Sequence, residues 1–207
     1  MRLGKSFENL LDNLFGASQP AVSLESDFAV FDFETTGLDP EKDKILSFAY
    51  LRMRGSEIVL GESLDGFLIS NSKISSAEIH QVTKEDLAKG FTEEKFIEAS
   101  LAFIGESTLV GHHVAFDLAC LNQLLKNHNI PPLKNPTVDT AQLGARIENP
   151  LMKQYGGNKA FKSLDSLCKQ YNIKPEARHS AGGDTLTTAM LFLKLLKAAK
   201  KRGISSL

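Results

Sequence analysis

The segment FAVFDFE, residues 28–34, constrains the fold of this chain most, because it places two carboxylates in an apolar run. Its length and composition predict a buried strand. Alternate side chains of a strand lie on one face, so Asp32 and Glu34 point the same way. Phe31 and Phe33 point to the other face, into the core. Two neighbouring buried carboxylates repel each other and lose hydration, and a divalent cation with oxygen ligands relieves this conflict. The segment therefore predicts a metal site.

The order of the predicted elements indicates the α/β class. Two further strands, at residues 44–53 and 57–69, flank a turn at Gly55, and a helix follows Thr92 as far as Gly105. A short strand and four helices come next, at residues 108–111, about 116–125, 139–147, 164–171 and from 184 onward. A strand hairpin followed by alternating strands and helices predicts a mixed sheet with helices on its faces.

Two later segments carry further acids. Asp117, in GHHVAFDLACLN, lies in the predicted first turn of a helix, where the helix dipole favours an ionised carboxylate. In HSAGGD, His179 lies on a loop and Asp184 opens the last helix, while Gly182 and Gly183 let the loop turn sharply. Alone, Asp117 is typical of an ordinary helix N-terminus and His179 of a structural histidine. Their occurrence together with the D-x-E strand favours a shared site.

These segments resemble the motifs of the DnaQ-like exonucleases, namely D-x-E, then a distant F-D element, then H-x-x-x-x-D. The histidine before the last acid is similar to the DEDDh branch of that superfamily, and the resemblance covers roughly residues 28–196. The TTG after D-x-E resembles the exonucleases of bacterial DNA polymerase III, of the epsilon-subunit and PolC types. The chain departs from the second motif at His113, where Asn is usual. The resemblance implies an RNase H-like mixed five-stranded sheet flanked by helices.

The resemblance also implies a 3′→5′ exonuclease mechanism. Two Mg²⁺ or Mn²⁺ ions would be held by four carboxylates, those of Asp32, Glu34, Asp117 and Asp184. His179 would be the general base that takes the proton from the attacking water. The product would be a nucleoside 5′-monophosphate. By the same resemblance the 3′-terminal nucleotides would be held by Thr35, Gly37, Leu38, His80 and Phe116. Leu38 and Phe116, taken singly, are equally well explained as core residues.

Three functions are open to such a site. The first is a DNA exonuclease of the proofreading or repair type, acting on the 3′ end of single-stranded DNA. The second is an RNA 3′-end trimming exonuclease. Such an enzyme distinguishes RNA from DNA by contacts to the 2′-OH, and the sequence does not identify the residues that would make these contacts. The third is a noncatalytic nucleic-acid-binding module, whose mark would be the loss of a carboxylate. All four acids are present, and the TTG segment favours the first function.

The first 22 residues form a separate unit by pattern. Apolar residues recur there at helical spacing before Gly16 and Pro20, which predicts a helical extension and linker at 1–22 and an exonuclease domain at 23–207. Such a helix commonly packs on its own domain, and it is also the candidate contact for a polymerase or other protein partner. Few residues follow Asp184, which favours a free-standing nuclease.

Composition excludes several classes. A net charge of −1 is not that of a protein that binds nucleic acid by charge alone. Cys120 and Cys168 are far apart in apolar surroundings, without metal-ligand spacing, as is typical of reduced thiols. No apolar run is long enough to span a membrane, and the N-terminus lacks the pattern of a signal peptide. We therefore expect a cytoplasmic protein without a membrane partner.

Overall fold

The computed structural model describes residues 22–69, 89–149, 161–204 and 207, which form a five-stranded sheet and five helices. The strands are β1 (Asp27–Thr35), β2 (Ile45–Arg54), β3 (Glu57–Phe67), β4 (Thr108–Gly111) and β5 (Thr137–Asp139). The helices are α1 (Glu93–Ile104), α2 (Val114–Asn127), α3 (Thr140–Glu148), α4 (Leu164–Gln170) and α5 (Ala181–Lys201). The predicted α/β fold, a mixed five-stranded sheet flanked by helices, is confirmed.

The sheet has the order β3-β2-β1-β4-β5, so β1 is its central strand. β1 pairs antiparallel with β2 along its length, from Asp27 opposite Arg54 to Thr35 opposite Ile45. On its other side β1 pairs parallel with β4 only as far as Val30. The carboxyl-terminal part of β1, which carries the two acids, therefore has a free edge on the β4 side.

The two faces of β1 contribute to two separate apolar clusters. Phe28 and Val30 belong to the cluster under α3, α4 and α5, whereas Phe31 and Phe33 belong to the cluster under α1 and α2. This alternation is the one expected for a strand covered on both faces. Because side chains alternate along a strand, Asp32 and Glu34 lie on the same face of β1 as Phe28 and Val30. β1 thereby directs its two acids toward the side of the sheet that α5 covers.

Helix α5 begins three residues earlier than the sequence analysis predicted. Ser180 is its N-cap and accepts a hydrogen bond from the Gly183 N–H at 3.2 Å. Asp184 therefore lies inside the first turn and does not open the helix, and Gly182 and Gly183 are helical. The prediction of a sharp glycine loop was wrong because a Gly-Gly pair after a serine is equally compatible with a capped first turn.

Parts of the chain lie outside the described residues. These include His80 and residues 1–21, which make up nearly all of the predicted N-terminal extension. Among the described helices, none has the length and apolar character needed to cross a membrane.

Candidate active site

Three carboxylates converge where β1 meets α5. Ligand oxygens of Asp32, Glu34 and Asp184 all lie within 4.8 Å of one another. The strand supplies two of them from one face, and the first turn of α5 supplies the third. Glu34 and Asp184 are buried, and Asp32 is partly buried. The predicted sharing of a face by the two strand acids is therefore seen in the structure.

The fourth predicted acid, Asp117, is fixed to the backbone of β1. Its Oδ1 accepts a hydrogen bond from the Phe33 N–H at 3.0 Å, and its side chain is buried. That N–H lies between the two strand acids, on the stretch of β1 beyond the last pairing with β4. The first turn of α2 thus occupies the edge that β4 leaves free, and it brings a carboxylate against the cluster.

Burial and mutual repulsion make the cluster reluctant to ionise. Burial is the main cause that raises the pKa of Asp32 well above its usual value, and the charges of Asp117, Asp184 and Glu34 raise it further. Burial likewise raises the pKa of Asp117 to about 8, although the hydrogen bond from Phe33 opposes this. Carboxylates gathered against their own electrostatics are the expected state of a site built to hold a cation.

A guanidinium that the sequence analysis missed also reaches the cluster. Arg178 Nη1 donates to Asp184 Oδ1, and its Nε donates to Asp165 Oδ1 at 2.6 Å. The positive charge of Arg178 lowers the pKa of Asp32, against the larger effect of burial. The only sequence signal was a basic residue beside His179, which is also typical of a solvated loop.

His179 lies on the loop that leads into α5. Its backbone is left-handed, with φ 62°, and its N–H donates to Asp184 Oδ2 at 3.3 Å. The residue is exposed. The structure therefore places the predicted base beside one of the three clustered acids. Its role as a base stays a prediction.

Gly183 is required by the close approach of this same loop. A Cβ at position 183 would lie 2.2 Å from the Ala177 carbonyl oxygen and 2.5 Å from that of Glu176. Only glycine fits without moving the backbone that precedes His179. At Gly182, by contrast, an added Cβ would meet nothing within 4 Å.

The loop after β1 is organised by Asp43, a second residue that the sequence analysis missed. Its carboxylate accepts from Thr36 Oγ1 at 2.8 Å and from the Asp39 N–H at 2.8 Å. A Cβ on Gly37 would come within 2.5 Å of the same carboxylate, so the loop closes tightly around it. Leu38 projects from this loop and is 80% exposed. This exposure excludes the core interpretation of Leu38.

The remaining predicted contact residues differ in their surroundings. Thr35 is buried, and its Oγ1 donates to the Gly37 carbonyl at 2.6 Å. Phe116 lies in the first turn of α2, partly buried against the cluster under α1 and α2. Thr35 and Gly37 thus shape the loop that presents Leu38, whereas Phe116 packs at the edge of the core.

His113, which stands where the family motif usually has Asn, has a backbone conformation that both residues can adopt. His113 is the N-cap residue of α2 and adopts a left-handed conformation with φ 60°. Asn tolerates this conformation better than most residues, which explains the usual Asn of the motif. The His113 N–H donates to Asp139 Oδ1 at 3.3 Å. The turn into α2 is therefore retained, and Asp117 keeps its position.

The fold and the acidic centre define an α/β domain with a carboxylate site suited to metal-dependent chemistry. The family model described as RNase_T, an exonuclease, matches residues 29–192. The chain belongs to this exonuclease family.

Similar proteins include DNA polymerases III of the PolC type. The chain is 32% identical over 184 residues to the PolC-type DNA polymerase III of Halalkalibacterium halodurans, and 33% identical over 183 residues to that of Bacillus subtilis. Both alignments cover 87% of this chain and 12% of the polymerase. The chain thus spans about an eighth of these relatives. The resemblance to PolC-type exonucleases is confirmed.

Solved structures of Escherichia coli exonuclease I share the fold. The complex with a dA16 oligonucleotide has a TM-score of 0.70 at 20% identity, covering 86% of this chain and 42% of that one. The zinc-bound complex with single-stranded DNA has a TM-score of 0.71 at 19% identity, with the same coverage. At these identities the likeness supports the RNase H-like architecture.

Proposed function

We propose that this chain is a metal-dependent 3′→5′ exonuclease that releases nucleoside 5′-monophosphates from the 3′ end of single-stranded DNA. The observation that carries the proposal is the convergence of Asp32, Glu34 and Asp184 within 4.8 Å, beside the buried Asp117. A binding module would have no need of four ionisable acids held together against burial.

The donor set fits Mg²⁺ or Mn²⁺. All the converging groups are carboxylates, which are the ligands that hard divalent cations prefer, and described His and Cys side chains are not part of the cluster. When bound, two such ions would activate water and stabilise the leaving oxygen of a phosphodiester. Asp32, Glu34 and Asp184 would hold these ions, and the neighbouring Asp117 would support them.

His179 is the proposed general base. The hydrogen bond from its backbone N–H to Asp184 supports this role, because it ties the loop that carries the imidazole to the carboxylate cluster. A neutral imidazole would take the proton of the attacking water, a role that histidine often fills in general-base catalysis. The exposed position leaves room for the substrate and for return of the proton to solvent.

The loop around Asp43 is the proposed support for the 3′-terminal nucleotide. Leu38 offers an apolar side chain to a base, and apolar contact is tolerant of sequence. Thr35 and Gly37 give the loop its shape, and Phe116 is the proposed contact from the first turn of α2. His80 is proposed as a further contact from the family pattern alone.

DNA is proposed over RNA because of the relatives. The similar polymerases are DNA polymerases, and the similar exonuclease I structures contain single-stranded DNA. RNA trimming stays an outcome of the test below. The buried, unpaired Cys120 and Cys168 are compatible with the proposed cytoplasmic location. Residues 1–22 remain the proposed contact for a polymerase or another partner.

The test uses purified protein with 5′-labelled single-stranded DNA and, separately, RNA of the same sequence. Reactions contain Mg²⁺ or Mn²⁺, with an EDTA reaction and Asp32→Ala as controls. A metal-dependent ladder on DNA, faster than on RNA and lost in the variant, supports the proposal. A faster ladder on RNA would move the substrate to RNA. Metal binding without cleavage of either polymer would favour the binding module.

A further inference from the structure

The environment of Arg178 sets it apart from the other basic residues near the site. Its guanidinium bridges Asp184, a member of the carboxylate cluster, and Asp165, which lies in the first turn of α4. The Arg178 side chain is 23% exposed and that of Asp184 is 10% exposed. An ion pair so placed is screened by salt less than an open surface pair.

Both oxygens of Asp184 are engaged by the loop before α5. Oδ1 accepts from Arg178, and Oδ2 accepts from the His179 N–H at 3.3 Å. A divalent cation that binds Asp184 must share one of these oxygens with its present donor or displace that donor, and at either oxygen it comes close to the guanidinium. Because the guanidinium and the cation repel each other at such short range, each disfavours the other.

We propose that Arg178 is a positioning residue that sets the divalent-cation affinity of the site by competing with the cation for Asp184. This inference rests on the proposed function, because it takes the clustered carboxylates to be the metal ligands. Without a cation, the guanidinium offsets the charge of the cluster. With a cation, it gives up Asp184.

Asp165 is the carboxylate that the guanidinium still binds when Asp184 binds a cation. It is bound by a different nitrogen, Nε, and its side chain is 61% exposed and outside the three-carboxylate group. A planar guanidinium can hold two carboxylates at once through separate N–H groups, whereas an ammonium acts as a point charge. Asp165 therefore holds Arg178 when Asp184 binds a cation. It also weakens the competition between the guanidinium and the cation for Asp184.

The test is a double-mutant cycle read by Mn²⁺ titration calorimetry on the full chain. Arg178→Gln is expected to bind Mn²⁺ about tenfold more tightly, the change given by loss of one competing charge-assisted hydrogen bond. Asp165→Asn is expected to bind Mn²⁺ about threefold more weakly, because the guanidinium loses the carboxylate that competes with Asp184 for it. In the Arg178→Gln background, Asp165→Asn should have no effect beyond that of removing one exposed charge.

Two matched controls separate competition from the general electrostatic field. Lys174→Gln and Glu176→Gln each remove one exposed charge from the loop between α4 and α5, as Arg178→Gln and Asp165→Asn remove one charge each. Both controls should change the Mn²⁺ affinity by less than about twofold. Arg178→Lys keeps the charge and preserves folding if Arg178→Gln does not, and its affinity should fall between wild type and Arg178→Gln.

Equal or weaker Mn²⁺ binding by a folded Arg178→Gln overturns the proposal, because Arg178 would then support Asp184 as a ligand. An effect of Asp165→Asn that is unchanged by loss of Arg178 also overturns it. If wild type binds Mn²⁺ and degrades single-stranded DNA, either result removes only this inference. If wild type neither binds Mn²⁺ nor degrades DNA, the proposed function fails as well.

Discussion

At the scale of single residues, the acidic site holds its carboxyl groups in surroundings that disfavour their ionised form. Burial raises the pKa of both Asp32 and Asp117. At Asp117, the hydrogen bond from the Phe33 N–H is the largest effect that lowers the pKa. A purely structural site would have relieved such strain with neutral groups. The carboxylates therefore make physical sense together with a cation, and this has two measurable consequences.

The first consequence is a pH-dependent effect of metal on stability. Because the folded pKa of Asp117 is about 8 and the unfolded value is about 3.9, folding takes up protons between these limits. The stability of the cation-free protein should therefore fall as the pH rises through this window. A divalent cation replaces those protons, so the rise in Tm with Mn²⁺ should grow from about pH 6 to about pH 8. Thermal unfolding at several pH values measures it.

Asp117→Asn is the control for this pH effect. It keeps an oxygen for the Phe33 N–H and removes the buried charge. Its Tm without cation should depend less on pH, and the gain from Mn²⁺ should shrink. A wild-type Tm that rises toward pH 8 without cation would contradict the electrostatic account of the cluster.

The second consequence concerns His179, whose proposed role is in proton transfer and not in metal binding. His179→Ala should lower kcat by about 10²–10⁴-fold, the usual contribution of a general base. Its Mn²⁺ affinity should stay near the wild-type value, because its described bond to Asp184 is made by the backbone N–H. Steady-state kinetics and calorimetry measure the two. His128→Ala, a change at the C-cap of α2, serves as the histidine control. If His179→Ala kept the wild-type kcat, His179 would not be the general base.

At the scale of elements, the structure depends on two short connections. The loop into α5 packs so closely that Gly183→Ala should destabilise the fold by about 1–3 kcal/mol, the usual cost of overpacking. It should also lower activity by displacing His179. Gly182→Ala is the matched control, because an added Cβ meets nothing there and alanine favours a helix. Urea unfolding of both variants measures the difference, and equal stabilities would contradict the contact.

The loop after β1 gives a prediction on substrate binding. Asp43→Ala removes the acceptor for Thr36 and for the Asp39 N–H, so the loop that presents Leu38 loses its shape. The KM for single-stranded DNA should rise about tenfold while kcat changes less, because the proposed catalytic carboxylates lie on β1, α2 and α5 and not on this loop. Lys42→Ala, which removes an exposed ion pair of the same loop, is the control. A fall in kcat alone would show that the loop acts on the chemistry instead.

Sequence pattern predicted the regular elements well where local rules fix them. The apolar run of β1 and the capping of α1 by Thr92 and Gly105 gave boundaries close to those observed. The start of α5 was misplaced because glycines are compatible with both a loop and a capped turn. Arg178 and Asp43 were missed because their roles arise from contacts with distant or folded-back residues, and a charged residue on a loop carries no such signal by itself.

At the scale of the whole molecule, Val22 contacts the carboxyl-terminal end of the chain. That residue is buried in the core under α5, and its carbonyl accepts from the Leu207 N–H at 3.0 Å. Because residues 1–22 are proposed as a separate partner-binding segment, a chain that starts at Val22 should keep the Tm and the exonuclease rate of the full chain. Thermal unfolding and the DNA assay compare the two. A large loss of Tm would show that residues 1–21 pack on the domain and would count against a separate partner-binding segment.

The central claim is that the carboxylate cluster removes nucleotides one at a time from a 3′ end. Its most direct test is single-stranded DNA labelled at the 3′-terminal nucleotide, with the first labelled product identified by chromatography. The account predicts a nucleoside 5′-monophosphate from the earliest time, dependent on Mg²⁺ or Mn²⁺ and absent with Asp32→Ala. Labelled oligonucleotides as first products, or release of label by Asp32→Ala at the wild-type rate, would contradict it.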